Sequence, residues 1–164
     1  MSNAAFDKIA ARLKETFGDA VVEVNGEGML PFVRVEPASL ARVARFLKDE
    51  AGLGCDFLMF ISAVDYPEDE KITLVYQYFS YEHQHEFMVK ADVPRAGAAV
   101  PTVTHLYAAA DWLEREVFDL FGVTFEGHPN MTRLLTPEGF TGHPLLKDFT
   151  NEDYIPFPDV KPGK

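Results

Sequence analysis

Histidine, glycine and proline come together twice, as Gly127-His128-Pro129 and Gly142-His143-Pro144. An imidazole can hold a metal ion, move a proton or anchor a backbone, and spacing decides among these. Neither histidine has a helical H-x-x-x-H partner or a nearby cysteine, so the pattern does not support a metal centre. Proline forces the histidine before it towards extended backbone. The two triplets therefore read as similar turns, each ring hydrogen-bonded to backbone and fixing the path of the chain. His83 and His85 are two apart and could share one strand face, but at a hairpin tip they read as exposed polar residues.

Charge is placed just as sparingly. On a helical wheel Trp112, Arg115, Glu116 and Asp119 fall on one arc, beside an apolar arc of Ala109, Leu113, Val117, Leu120 and Phe121. Arg115 and Asp119 are four apart, which allows an intrahelical ion pair worth about 0.3–0.5 kcal/mol. Asp119, however, stands in the last turn before Gly122, where the helix dipole disfavours a carboxylate. A carboxylate there is better explained if it receives hydrogen bonds, from the loop that follows or from a partner's arginine. Arg133, Lys147 and Asp148 are further ion-pair candidates, either tying the C-terminal stretch to the domain or contacting a partner. No glycine-rich phosphate loop, G-x-S-x-G elbow, H-E-x-x-H or cysteine nucleophile signature is present. An enzyme built on His128, His143 and nearby carboxylates is the alternative the residues leave open, and no spacing supports it.

These residues need elements to hold them. Phe6, Ile9, Ala10, Leu13 and Phe17 recur at helical spacing, with Asn3 as cap and Gly18 as stop. Val21–Val24 and Phe32–Val35 predict two short strands, Pro31 keeping the second near an edge. Pro37 suits the first turn of a second helix whose buried stripe is Leu40, Val43, Ala44 and Leu47, ended by Gly52. Phe57–Val64 is an unbroken apolar run and predicts a central strand covered on both faces. Ile72–Tyr81 and the alternation from Glu86 to Val93 predict a hairpin across YEHQH. Pro94–Pro101 reads as a small-residue linker, and Thr102 or Thr104 as the cap of a helix reaching Phe121. The order predicts an α+β fold, a mixed or mostly antiparallel sheet with packed helices and a long irregular C-terminal segment. One domain is expected over residues 1–149, followed by an extended tail over 150–164.

Composition sets the class. With 47% hydrophobic residues, 164 residues can bury one sizeable core. The net charge of −11 argues against nucleic acid and against adsorption to anionic lipid, and would complement a basic protein partner. Cys55 is the only cysteine, which excludes an intrachain disulfide and a cluster held by this chain alone. No apolar run approaches the roughly 20 residues of a membrane span, and the first residues lack the apolar centre of a secretory signal. The expected protein is soluble, without direct membrane insertion.

The stretch Glu114–Phe149 carries a resemblance. Glu114-Arg115-Glu116, Asp119, Gly122, Phe125, His128-Pro129, Arg133-Leu134-Leu135-Thr136, Gly139-Phe140, Gly142-His143-Pro144-Leu145 and Lys147-Asp148-Phe149 resemble the signature of the C subunit of proton-pumping NADH–quinone oxidoreductases, respiratory complex I. The resemblance implies a cofactor-free subunit of the peripheral arm, on the cytoplasmic side of the membrane, that packs on the quinone-site subunit related to the hydrogenase large subunit. FMN and iron–sulfur clusters would then sit on partner subunits, and no catalytic residue is expected on this chain. The implied partner interface is Trp112, Arg115, Glu116, Asp119, His128, Arg133, His143, Lys147 and Asp148. Asn130, Thr132, Leu146 and Thr150 depart from the family pattern of acidic, basic, basic and proline, which implies a different partner surface. An equivalent subunit of an energy-converting hydrogenase, or of a ferredoxin- or F420-fed complex, is the alternative within the same family.

Overall fold

In the computed structural model residues 3–150 are described. Helix α1 (Asn3–Phe17) buries Phe6, Ile9, Ala10 and Leu13, the stripe that 3.6-residue periodicity demands. Helix α2 (Leu40–Asp49) buries Leu40, Val43, Ala44 and Leu47 after a short turn over Pro37–Ser39. Strands β1 (Val21–Asn25), β2 (Phe32–Val35), β3 (Phe57–Tyr66), β4 (Lys71–Ser80) and β5 (His85–Pro94) form one sheet in the order β1-β2-β5-β4-β3. Every pairing is antiparallel except β2 with β5. The sheet is thus mixed and mostly antiparallel, and β4 and β5 form the expected hairpin. β2 lies one strand in from the edge, and Pro31 precedes it, so its missing N–H costs no ladder bond.

Ile72, Leu74, Tyr76 and Tyr78 of β4 pair with Val93, Ala91, Val89 and Phe87 of β5, and all eight are buried on the face that meets the helices. The residues between them point the other way. That face carries a polar ladder, in which Arg34 bonds Glu23 and Asp92, and Thr73 and Lys71 also reach Asp92.

Three expectations are corrected. β3 is an edge strand, not a central one: its burial alternates, and Phe57, Met59, Val64 and Tyr66 are each between 39% and 43% exposed. An unbroken apolar run reports that both faces are apolar, and one of them is left open here. The linker over 94–101 contains strand β6 (Ala99–Pro101), which pairs in parallel with β7 (Thr124–Glu126). A parallel pair needs a crossover, and the third helix supplies it. That helix, α3, spans Ala110–Phe121 and starts later than a cap at Thr102 or Thr104 would place it. Residues 103–107 form a turn instead, with Leu106 and Tyr107 N–H groups both on the Val103 carbonyl. The segment from Asn151 onward, expected as an extended tail, and the Asn3 cap lie outside the described residues and side chains.

Candidate functional site

α3 is gripped at both ends. Near its start, the Glu114 side chain is fully buried and accepts hydrogen bonds from the Thr102 hydroxyl at 2.5 Å and the Val103 N–H at 2.7 Å. Burial pushes its carboxyl up to about 7, against the pull of those two donors, and nearby Asp111 adds to the rise. His128 closes this end. Its buried ring accepts from the Asn130 N–H through Nδ1, so Nε2 carries the proton and donates to the Asp111 carbonyl at 3.2 Å. Glu114 Oε2 stands 4.0 Å from the same Nε2.

The other end is organised by Asp119. Its side chain is fully buried, although it lies in the last turn. Oδ1 accepts from Arg133 Nη1 at 2.8 Å and from the Thr136 hydroxyl at 2.5 Å. Oδ2 accepts the N–H groups of Leu134, Leu135 and Thr136 at 2.9, 2.7 and 2.9 Å. Burial alone would raise its pKa, but the Thr136 hydroxyl and three backbone N–H groups outweigh it and hold the carboxyl well below the usual range. Three consecutive N–H groups without a strand partner are satisfied by one carboxylate. The carbonyls at the helix end are met too: His143 Nδ1 donates to the Asp119 carbonyl at 2.9 Å, and the Leu145 N–H to Leu120 at 3.0 Å. Gly122 turns the chain at φ +80°.

Arg115 does not pair with Asp119. Its guanidinium donates to the carbonyls of Thr132 and Arg133 and lies 5.2 Å from the Trp112 ring centroid. Arg133 takes the carboxylate instead, and also donates to the Gly142 carbonyl at 3.0 Å. At the end of the segment, the buried Asp65 receives Arg95 at 2.7 and 2.9 Å and the Lys147 N–H at 2.8 Å. The Arg95 hydrogen bonds, against the effect of burial, hold Asp65 below its ordinary pKa. Asp148 also bonds Arg95, and the Lys147 ammonium lies over Tyr66.

The nine residues read as an interface thus divide. Asp119, His128, Arg133 and His143 are turned inward and hold the segment; Trp112, Glu116, Lys147 and Asp148 are exposed, and Arg115 lies between. Around the outer side of α3, Trp112, Leu135 and Leu145 are 59%, 61% and 51% exposed. Sequence reasoning missed the inward role of Glu114, although Ala110, Glu114 and Val117 share one buried helix face. It also missed Asp65 with Arg95, which no local pattern links. His83 is exposed, as read, while His85 turns in towards Cys55 at 3.7 Å. Burial, reinforced by Asp56, pushes the Cys55 thiol up to about 12, which removes it as a nucleophile near neutral pH. Among the described residues no three metal-ligating side chains converge, and no helix is long and apolar enough to cross a membrane.

A family model described as the respiratory-chain NADH dehydrogenase 30 Kd subunit matches residues 33–154. The chain is 40% identical over 156 residues to the C subunit of the NADH-quinone oxidoreductase of Rhodobacter capsulatus, covering 94% of this chain and 77% of the relative. Among solved structures, a chain of the membrane-bound sulfane sulfur reductase, an archaeal respiratory membrane complex, superposes with TM-score 0.63 at 30% identity, covering 76% of this chain and 72% of that one. The trypsin-resistant fragment (1–134) of Nqo5 superposes with TM-score 0.57 at 31% identity, covering 73% of this chain and 96% of the fragment.

Proposed function

The chain belongs to the respiratory-chain NADH dehydrogenase 30 Kd subunit family, and from that membership and the geometry around α3 we propose that it works by docking rather than by chemistry of its own. It is a peripheral-arm subunit of an NADH-quinone oxidoreductase, seated on the quinone-site subunit and attached to the cytoplasmic side of the membrane through its partners. FMN and iron–sulfur clusters are carried by those partners, and electrons pass from NADH to quinone through them. The observation that carries this reading is the Asp119 cradle. A segment poor in regular structure is fixed at high polar cost, and among the side chains it leaves exposed are two large apolar ones, Leu135 and Leu145, with Trp112 of α3 exposed as well. Large apolar side chains left exposed on a firmly held support mark a protein contact.

Purification of the tagged chain from native membranes in mild detergent, with mass spectrometry of what accompanies it, tests the reading. Recovery of flavin- and cluster-bearing subunits together with the quinone-site subunit is the expected result. Recovery of neither would sink it. The likeness to the sulfane sulfur reductase chain favours one second reading, an equivalent subunit in a complex fed by another donor such as hydrogen, ferredoxin or F420. A nickel–iron or ferredoxin-linked set in the same experiment would select that reading.

A further inference from the structure

Where β5 begins, the sheet is one strand short. β2 meets β5 only from Met88 onward, with Phe32 opposite Met88 and Val33 opposite Val89. His85, Glu86 and Phe87 therefore have β4 on one side and, among the described residues, no strand on the other. A cleft of about 250 Å³ opens at this gap, walled by Phe6 of α1, by Leu30 and Pro31 ahead of β2, and by Met88. Its polar side is Gln77 and Glu86, with His83, Gln84 and His85 at the turn before β5.

Gln77 is only 4% exposed. Its Nε2 donates to Glu86 Oε2 at 2.9 Å, which fixes the amide, because the flipped form would set oxygen against carboxylate. Oε1 is thereby held as a buried acceptor with no donor among the described residues. Such an atom is costly, and a donor supplied from outside relieves the cost. Glu86 takes part in no ion pair among the described residues, so a carboxylate stands beside that acceptor uncompensated. Burial, with His83 stacked beside it, lowers the pKa of His85.

We propose that this cleft seats an arginine side chain from an extended segment of another polypeptide. Two acceptors on separate side chains call for a donor with several N–H groups in a fork, which a guanidinium provides. Its methylene stem packs on Phe6, Leu30 and Met88, as long basic side chains do against apolar walls. The edge of β5 at His85 and Glu86, both half-buried, receives the backbone on either side, by strand addition. A chain of net charge −11 favours such a cationic partner. No residue of the Asp119 cradle takes part, so the cleft does not depend on which complex the chain joins.

The test is an NMR titration of the full-length chain with the blocked tripeptide Ac-Ala-Arg-Ala-NH2, with its citrulline counterpart, and with agmatine, which has the cation but no peptide backbone. Saturable shifts confined to the Gln77 side-chain amide, His83, His85, Glu86 and Met88 are expected, with both comparison compounds weaker by roughly tenfold or more. Glu86→Gln and Gln77→Leu should each weaken the tripeptide roughly tenfold while the remaining amide spectrum stays unchanged, which separates lost binding from lost folding. Absence of saturable shifts, or equal binding of the citrulline peptide, overturns the cation site. Equal binding of agmatine overturns the polypeptide source.

Discussion

A Cβ atom built on Gly122 would lie 2.7 Å from Cδ2 of His143, and the glycine itself sits at φ +80°. The turn after α3 and the second Gly-His-Pro triplet are thus packed as one unit. Gly139, at φ +84°, has nothing within 4 Å of the same position. Gly139→Ala should cost only backbone strain, about 1 kcal/mol, whereas Gly122→Ala should cost more, about 2–4 kcal/mol, because His143 must also leave the Asp119 carbonyl. Denaturant unfolding of the two variants checks this, and equal losses would mean that the ring yields freely.

Asp119→Ala should destabilise by about 3–5 kcal/mol, since it strands Arg133 and three backbone N–H groups together. Glycine or alanine scanning of exposed positions offers no comparable loss. The pH profile carries the sign. The folded-state pKa of Asp119 lies below the ordinary 3.8, so its contribution is present above that value and lost as pH falls through the folded pKa; Asp65 acts in the same direction. Stability should therefore drop steeply below about pH 4, and less steeply in Asp119→Asn. Unfolding curves at pH 3 and pH 6 decide it, and parallel profiles for the two proteins would refute the assignment.

Glu114 slopes the other way. Its carboxyl is raised from 4.5 to about 7, so the folded state holds the proton more tightly than the unfolded chain. The contribution is fully present below 4.5 and is lost as pH rises through about 7. Glu114→Gln, which stays neutral, should gain on the parent by roughly 3 kcal/mol between pH 4 and pH 8. Thermal melts across that range measure it. A constant difference between variant and parent would show that burial does not govern this carboxyl.

The sequence was most legible where one period repeats. Phe6 to Leu13 and Leu40 to Leu47 specify their buried faces outright, and the alternation in β4 and β5 specifies a hairpin. It was least legible where a residue's partner is distant: Asp65 meets Arg95 across 30 positions, and Lys147 across 82. Asp119 shows the boundary between the two. Its awkward place in the last turn pointed to donors in the following loop or on a partner's arginine, and the loop supplies them through Leu134 to Thr136; the helical wheel put it on the arc of Trp112, Arg115 and Glu116, outside the apolar one, and it is fully buried. A wheel cannot anticipate that an irregular segment will fold back over the arc. Phe57 to Val64 fails for a related reason, because an apolar run reads the same whether one face of the strand is covered or both.

The docking reading makes one demand that folding does not. Trp112 and Leu135 are more than half exposed, so Trp112→Ala and Leu135→Ser should shift stability by no more than about 0.5–1 kcal/mol, even though Arg115 then has no indole ring to lie over. Arg133→Ala, by contrast, should damage folding and assembly together, because its guanidinium spans Asp119 and Gly142. Expression of each tagged variant in the native host, with quantitative mass spectrometry of the recovered subunits and a melt of the isolated chain, separates the two effects. Loss of partner subunits at unchanged melting temperature in the Trp112 and Leu135 variants is the expected outcome. Full recovery with both would move the contact away from α3, and the open edge of the sheet at Phe57 and Met59, another apolar exposure among the described residues, would then become a face to mutate.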